Sequence, residues 1–445
     1  MAKITFMGAG STVFAKNILG DCMLSAPLQD AHLALYDIDG TRLEESRLML
    51  ETLNRNINSG RAVITAHLGV DQRREALSGA DYVVNCIQVG GYDPATIADF
   101  EIPKRYGLRQ TIGDTLGIGG IFRALRTLHV MFDFARDMEE LCPDAWMLNY
   151  TNPMAMITTA MAQATGVKFV GLCHSVQCCA EILLNTLGMR EGVARLQWKI
   201  AGINHQAWLL EITDGGRDLY PEIKERAAAM LAKARPEGGE KYWDMVRHYL
   251  MLTFGYYITE SSEHSSEYLP YFIKQTAPEL ISEFNIPLDE YPRRCVAQIE
   301  GWKKQAAEIV HNRALTHTRT HEYGSYIMEA METDIPFRIG GNVLNRGIIT
   351  NLPRKAAVEV ACLVDRNGVQ PCVVGDLPEQ CAALNRTNIN PQILTAEAAI
   401  SRRKDSVYHA AMLDPHTSSE LTIDQIRSLC DDLIEAHGDL LPRYT

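Results

Sequence analysis

Lys3-Ile4-Thr5-Phe6-Met7-Gly8-Ala9-Gly10-Ser11-Thr12 is the stretch that decides the fold. An apolar run suited to a buried strand ends in a glycine turn, and helical text follows through about Leu24. Ala31–Tyr36 is a second strand candidate, and it ends in the acid Asp37. Strand, glycine turn, helix, strand and acid in that order point to a dinucleotide-binding unit. Glycine lets the chain turn sharply and lets a pyrophosphate reach the backbone amides, while the helix N-terminus adds a partial positive charge. Gly8, Gly10, Ser11 and Thr12 are therefore candidate cofactor contacts. Asp37 can accept hydrogen bonds from ribose hydroxyls and would repel a 2′-phosphate, which favours NAD over NADP. Val13 stands where a third glycine would complete the fingerprint. An ordinary tight turn with a capping acid is the alternative reading of the same residues.

The alternation continues outward from that stretch. Thr41 lies three residues before Glu44, a capping-box spacing that predicts a helix start there. Ala62–Leu68, Asp81–Ile87, Ala145–Leu148 and Lys168–Leu172 read as further strands. Arg73–Leu77, Gly120–Leu141 and Met154–Ala164 read as the helices between them. This pattern predicts an α/β fold, a Rossmann-type doubly wound parallel sheet with ligands at the carboxyl ends of its strands. From about Leu196 the rhythm changes to helical segments such as Glu222–Ala234, Tyr242–Leu252 and Arg294–His311. Pro336–Gly340 and Gly347–Thr350 suggest a strand pair, Ala357–Val364 a buried strand, and Thr422–His437 an amphipathic helix. The expected division is residues 1–195 for an NAD-binding domain. Residues 196–445 then form a mostly helical α+β domain for substrate, catalysis and oligomerisation.

Charge narrows the partners. The 445 residues carry 43 Lys+Arg against 55 Asp+Glu, a formal charge of −12. That field repels phosphate backbones and anionic lipid, so nucleic acid and membrane surfaces are poor partners. No apolar stretch approaches the ~20 residues of a membrane helix, and the N-terminal apolar run is too short for an export signal. The 11 cysteines show no paired framework, which fits free thiols in a reducing cytoplasm. Cys22 and Cys430, each inside a helical pattern, read as small buried hydrophobes.

Chemistry-bearing residues gather at the predicted strand ends. Asn149-Tyr150-Thr151-Asn152-Pro153 closes the fifth strand and Cys173-His174-Ser175-Val176 the sixth, and Gln88-Val89-Gly90-Gly91, after the fourth, is a second wall for a cofactor. Gly202-Ile203-Asn204-His205 offers a further imidazole. One thiolate and one imidazole suit a divalent transition metal with positions left open. Taken singly, Cys173 reads as a buried thiol and His205 as a core histidine. Asp114, in a glycine-rich turn before the long helix, reads by itself as a capping acid. Tyr256, Tyr257, Glu260, Glu263, His264, Glu267 and Tyr268 crowd one polar stretch. That stretch is either a solvated acidic face or an acid/base and sugar-binding loop, and composition does not choose.

Several of these motifs stand together in one order: Gly8-Ala9-Gly10-Ser11-Thr12, Asp114-Thr115-Leu116-Gly117, Asn149-Tyr150-x-Asn152-Pro153-Met154, Cys173-His174-Ser175-Val176 and Gly202-Ile203-Asn204-His205. In that order the chain resembles glycoside hydrolase family 4, an NAD-dependent exception to the two-carboxylate rule. Thr259-Glu260-Ser261-Ser262-Glu263-His264, Leu288-Asp289-Glu290-Tyr291-Pro292 and Tyr408-His409-Ala410-Ala411-Met412 resemble its α-galactosidase branch. The resemblance implies transient oxidation of the sugar at C3 by bound NAD⁺, removal of the C2 proton, and elimination of the aglycone beside a divalent metal, Mn²⁺ in the family. It implies Cys173 and His205 as metal ligands, Asn152 and His264 at the substrate, and Asn149 near the nicotinamide. It implies His174 as proton donor and Asp114 as an acid tuning the base. The base is expected at a tyrosine, Tyr257 ahead of Tyr256, with Glu260 close by. An α-glycoside substrate and a homodimer or homotetramer are expected as partners. α-Glucosidase and α-galacturonidase specificity are near alternatives. A 2-hydroxy-acid dehydrogenase and a non-catalytic NAD-sensing module are more distant ones.

Overall fold

The computed structural model describes residues 1–445, the side chain of Ala307 apart. Thirteen strands form one sheet. In chain order they are β1 Lys3–Met7, β2 His32–Asp37, β3 Val63–Leu68, β4 Tyr82–Asn85, β5 Trp146–Asn149, β6 Lys168–Leu172, β7 Leu196–Ile203, β8 Gln206–Asp214, β9 Arg217–Asp218, β10 Tyr257–Ile258, β11 Phe337–Leu344, β12 Ala357–Asp365 and β13 Gly368–Pro371. The first six are parallel in the order β3-β2-β1-β4-β5-β6, the doubly wound arrangement. The order reverses between β1 and β4, so a crevice opens above their carboxyl ends.

Burial on both faces explains the apolar runs. Along β1, Ile4 and Phe6 face one core with Leu33 and Leu35 of β2. Met7 faces the other, with Tyr36, Val83 and Met147. The helix Thr12–Leu24 packs on the first face, while the helices Gly117–Leu141 and Met154–Ala164 contribute to the second core. Cys22 and Cys430 are buried in helices, as their patterns predict.

The sheet does not stop at β6. Gly171 and Leu172 pair antiparallel with Asn342 and Gly341 of β11, and the sheet continues through β12, β7, β8 and β10. The hairpin β7–β8 lies where the sequence reads as the start of a helical region. Its polar positions, such as Gln197, Lys199 and Glu211, mask the strand periodicity. The helices Tyr323–Thr333, Glu379–Ser401 and Lys404–Leu413 complete the second half.

Two local expectations need correction. Asp39, not Thr41, caps the second helix, and its Oδ1 accepts from the backbone N–H groups of Thr41 (3.0 Å) and Arg42 (3.1 Å). A short carboxylate one residue before the helix reaches those orphan donors directly. Gly347–Thr350 is not a strand. Asn345 satisfies that loop instead, donating to the Ile349 (2.9 Å) and Leu352 (3.0 Å) carbonyls and accepting from Ile349 N–H (2.8 Å), so β11 pairs with β12.

Candidate functional site

The glycine turn after β1 is built around Asp37. Gly8 adopts φ +88°, and a Cβ there would lie 3.0 Å from backbone atoms of Cys86 and Ile87 at the end of β4. A Cβ on Gly10 would lie 2.8 Å from Asp37 Oδ2. Glycine is therefore what lets the turn close on β2 and β4. Gly10 N–H donates to Asp37 Oδ2 (2.6 Å) and Asp39 N–H to Oδ1 (2.9 Å), which fixes the carboxylate at the crevice edge. Ser11 precedes the helix as its cap residue. Thr12 is buried, its hydroxyl accepting from Ser46 (3.0 Å). The turn and the helix start behind it, with no acid in its first turn, fit a dinucleotide pyrophosphate. Gln88 is exposed and Val89 half-buried on the loop after β4.

Asn149 is fully buried. Its Oδ1 accepts from Asn85 (2.7 Å) and its Nδ2 donates to the Thr151 carbonyl (3.0 Å). The amide thus ties the ends of β4 and β5 together. Asn152, half-buried in the next turn, accepts from Met154 N–H on its Oδ1 (3.2 Å).

The structure brings Cys173 and His205 together across 32 residues of sequence, and it adds Glu260. One ligand atom from each lies within 4.8 Å of the other two. Cys173 closes β6, and His205 sits in the turn between β7 and β8. Glu260 follows β10, which pairs with β8. His205 Nε2 lies 3.9 Å from Glu260 Oε2, and His205 Nδ1 is buried without a partner. The Tyr268 hydroxyl accepts from the His205 backbone N–H (2.9 Å). Burial pushes the Cys173 thiol well above its ordinary range. Thiolate and imidazole are a fitting donor pair for a divalent transition metal, and the Glu260 carboxylate stands beside them.

Around this group stand the remaining expected residues. His174 is half-exposed and pairs through Nε2 with Glu322 Oε2 at 2.7 Å; that bond holds the imidazole pKa above its usual value. The ring stacks on Tyr150 and meets Tyr323 edge-on. His264 packs edge-on against His205, and burial lowers its pKa to about 3. Asp114 is buried with Oδ1 unpartnered and Oδ2 4.0 Å from Arg123 Nη1, and burial raises its pKa.

Tyr257 is where the structure parts from expectation. Its side chain is fully buried, its hydroxyl donates to Asp244, and the Arg247 guanidinium covers its ring at 4.5 Å. Burial drives the phenol well above its ordinary pKa. Residues alternate in direction along a strand, and β10 turns Tyr257 into the core that also holds Leu209 and Ile212. Its phenol is committed there and is not part of the Cys173 group.

Sequence reasoning missed Glu322, Arg123 and Glu359. Arg123 donates to the Asn152 carbonyl (3.3 Å) and to the Tyr291 hydroxyl (2.6 Å). Glu359, fully buried on β12, accepts from Asn204 (3.1 Å) and Asn342 (2.9 Å), and its Oε2 has no partner. A lone acid within the apolar run Ala357–Val364 was its visible signal.

Known proteins share this sequence and fold. An α-galactosidase of Bacillus subtilis (strain 168) is 61% identical over 444 residues, covering all of both chains. An α-galactosidase of Rhizobium meliloti (strain 1021) is 34% identical, covering 99% of this chain and 89% of that one. Among solved structures, a 6-phospho-α-glucosidase from gut microorganisms in complex with NAD and Mn²⁺ superposes with a TM-score of 0.81, at 21% identity and covering 100% of both chains. The model of family 4 glycosyl hydrolases matches residues 3–189 and that of their C-terminal domain residues 200–417, and the chain belongs to glycoside hydrolase family 4.

Proposed function

We propose that the protein is an α-galactosidase that cleaves melibiose-like α-galactosides with NAD and a divalent metal, Mn²⁺ or a similar ion. The convergence of Cys173, His205 and Glu260 at the crevice carries this reading. The two α-galactosidases above support the choice of sugar. When bound, a nicotinamide supplies a reversible hydride acceptor and the cation a Lewis acid, so a C–H bond next to an oxidised carbon becomes acidic.

The chain's own groups divide the remaining work. Cys173 and His205 would hold the cation. Gly8, Gly10 and Ser11 would receive the pyrophosphate and Asp37 the ribose, with Gln88 and Val89 as the facing wall. Glu260 takes the C2 proton. It is the partly exposed carboxylate beside the two ligands, and Ser261 N–H holds its Oε1 (2.9 Å), leaving Oε2 to act. His174, oriented by Glu322, delivers a proton to the departing glycosidic oxygen. Asn152 and His264 line the sugar, and Asp114 with Arg123 fixes the Asn152 turn. Residues 1–195 thus present the dinucleotide together with Asn152, Cys173 and His174, and residues 196–445 supply the base, the second ligand and His264. We place the enzyme in the cytoplasm as a homodimer or homotetramer. Its cysteines are all free, and no helix among the described residues is long and apolar enough to cross a membrane.

The test is hydrolysis of p-nitrophenyl α-galactoside, α-glucoside and α-galacturonide, side by side, with NAD⁺, Mn²⁺ and a thiol reductant. The galactoside should be cleaved fastest, and solvent deuterium should appear at C2 of the product. Full activity after removal of cofactor and metal would refute the redox route. Stoichiometric NADH from a 2-hydroxy acid would make the protein a dehydrogenase instead.

A further inference from the structure

The long helix Gly117–Leu141 carries two buried arginines one turn apart, each donating to the backbone carbonyl of a loop at the crevice. Arg123 holds the loop after β5 through Asn152. Arg126 holds the loop after β4, its Nε donating to the Val89 carbonyl at 3.1 Å. The rest of the Arg126 fork grips Asp99, Nη1 to Oδ1 at 3.0 Å and Nη2 to Oδ2 at 2.6 Å. Asp99 Oδ1 also pairs with His437 Nε2 at 2.9 Å, and the His437 ring stacks on Phe122. Arg126, Asp99 and His437 are 0%, 2% and 3% exposed. The C-terminus meets the same loop a second time. A Cβ on Gly90 (φ +80°) would lie 3.0 Å from Leu440 Cδ1 and 2.5 Å from Ala95 Cβ, so the loop is pressed against the turn Gly438–Leu440.

We propose that Arg126 is a positioning residue for the dinucleotide: bridged through Asp99 to His437, it clamps the Val89–Gly90 wall of the cofactor site onto the C-terminal turn. The proposal rests on the NAD reading above. A buried ion pair is weak evidence for stability, since apolar residues of similar volume often serve as well. Arginine does here what they cannot. Its planar fork binds both carboxylate oxygens and still leaves Nε for the carbonyl. Lysine could keep the charge opposite Asp99, but it has no third fixed donor for Val89.

The experiment is calorimetric titration of full-length, Mn²⁺-loaded protein with NAD⁺, in wild type, Arg126→Lys, His437→Asn and Leu429→Ala. Leu429 is fully buried in the same C-terminal helix and serves as a purely structural control. Arg126→Lys should weaken NAD⁺ binding about tenfold, the worth of one hydrogen bond from a charged donor. His437→Asn should weaken it about threefold, and it remains informative if the lysine variant fails to fold. Mn²⁺ affinity should change in neither. Leu429→Ala should lower the melting temperature and leave the NAD⁺ dissociation constant as in wild type. Wild-type NAD⁺ affinity in whichever of the two clamp variants folds would overturn the proposal and leave the NAD reading standing. An equal loss in Leu429→Ala would also overturn it. A wild-type protein that binds no NAD⁺ would remove the NAD reading and the proposal together.

Discussion

Replacing Glu322 by glutamine keeps the shape beside His174 and removes the charge. The bond it weakens is the 2.7 Å contact between Glu322 Oε2 and His174 Nε2. A hydrogen bond to a charged group contributes roughly 1.5–3 kcal/mol. Here the His174 side chain is 49% exposed and Glu322 15%, so solvent screens the pair. Screening takes the pair just below that range, to about 1.4 kcal/mol, and the imidazole loses about a factor of 10 in its ability to hold and place a proton. That loss matters only where the leaving group needs the proton. On melibiose, whose leaving group is an alkoxide, kcat/KM should fall about tenfold. On p-nitrophenyl α-galactoside, whose phenolate leaves unaided, it should stay within about twofold. The assay is steady-state kinetics on both substrates at saturating NAD⁺ and Mn²⁺. An equal fall on both would show that Glu322 only maintains structure. No fall on melibiose would remove His174 from the proton-donor role.

Other perturbations test the remaining parts of the site. Cys173→Ser exchanges a soft donor for a hydroxyl and should weaken Mn²⁺ binding by more than the ~10–100-fold that changes around metal ligands cost, while NAD⁺ affinity is kept; tight Mn²⁺ binding measured by calorimetry would exclude the thiolate as ligand. Gly10→Ala puts a methyl group 2.8 Å from Asp37 Oδ2, so the carboxylate must move and NAD⁺ affinity should fall about tenfold; fluorescence titration reads the result. His248 is fully buried, accepts from Tyr242 on Nδ1, and has its pKa lowered by burial to about 4. The unfolded chain binds this proton near pH 6.5, so stability falls as pH drops from 6.5 toward 4, by about 2 kcal/mol between pH 7 and pH 5. His248→Gln should flatten that part of the melting-temperature profile, and an unchanged slope would assign the acid lability to other groups.

The first half of the fold is legible because parallel strands buried on both faces read as apolar runs bounded by turns, and β1 through β6 are of that kind. The hairpin β7–β8 is less legible, because half of its outer positions meet solvent and carry Gln197, Lys199 and Glu211. Within the site, local motifs mark Cys173, His205 and Asp37. Their partners are not local. Glu322 is 148 residues from His174, and only the antiparallel extension of the sheet brings the two halves together. Tyr257 and Glu260 stand three residues apart in one polar stretch, and composition gives no means of telling which faces the crevice. The pairing of β10 with β8 decides it, sending the tyrosine into the core and leaving the carboxylate beside His205. Asn149 shows the converse. Its place at a strand end is right, yet its amide is spent on Asn85 and Thr151.

The junction of β6 with β11 bears on how the site holds together. Its two paired positions, Gly171 with Asn342 and Leu172 with Gly341, lie immediately before Cys173. Were the two halves to gape like a pair of jaws, backbone bonds at this weld would have to rip and the thiol would swing out of register with His205. The continuous sheet therefore keeps the two halves, and with them the thiol and His205, in fixed register.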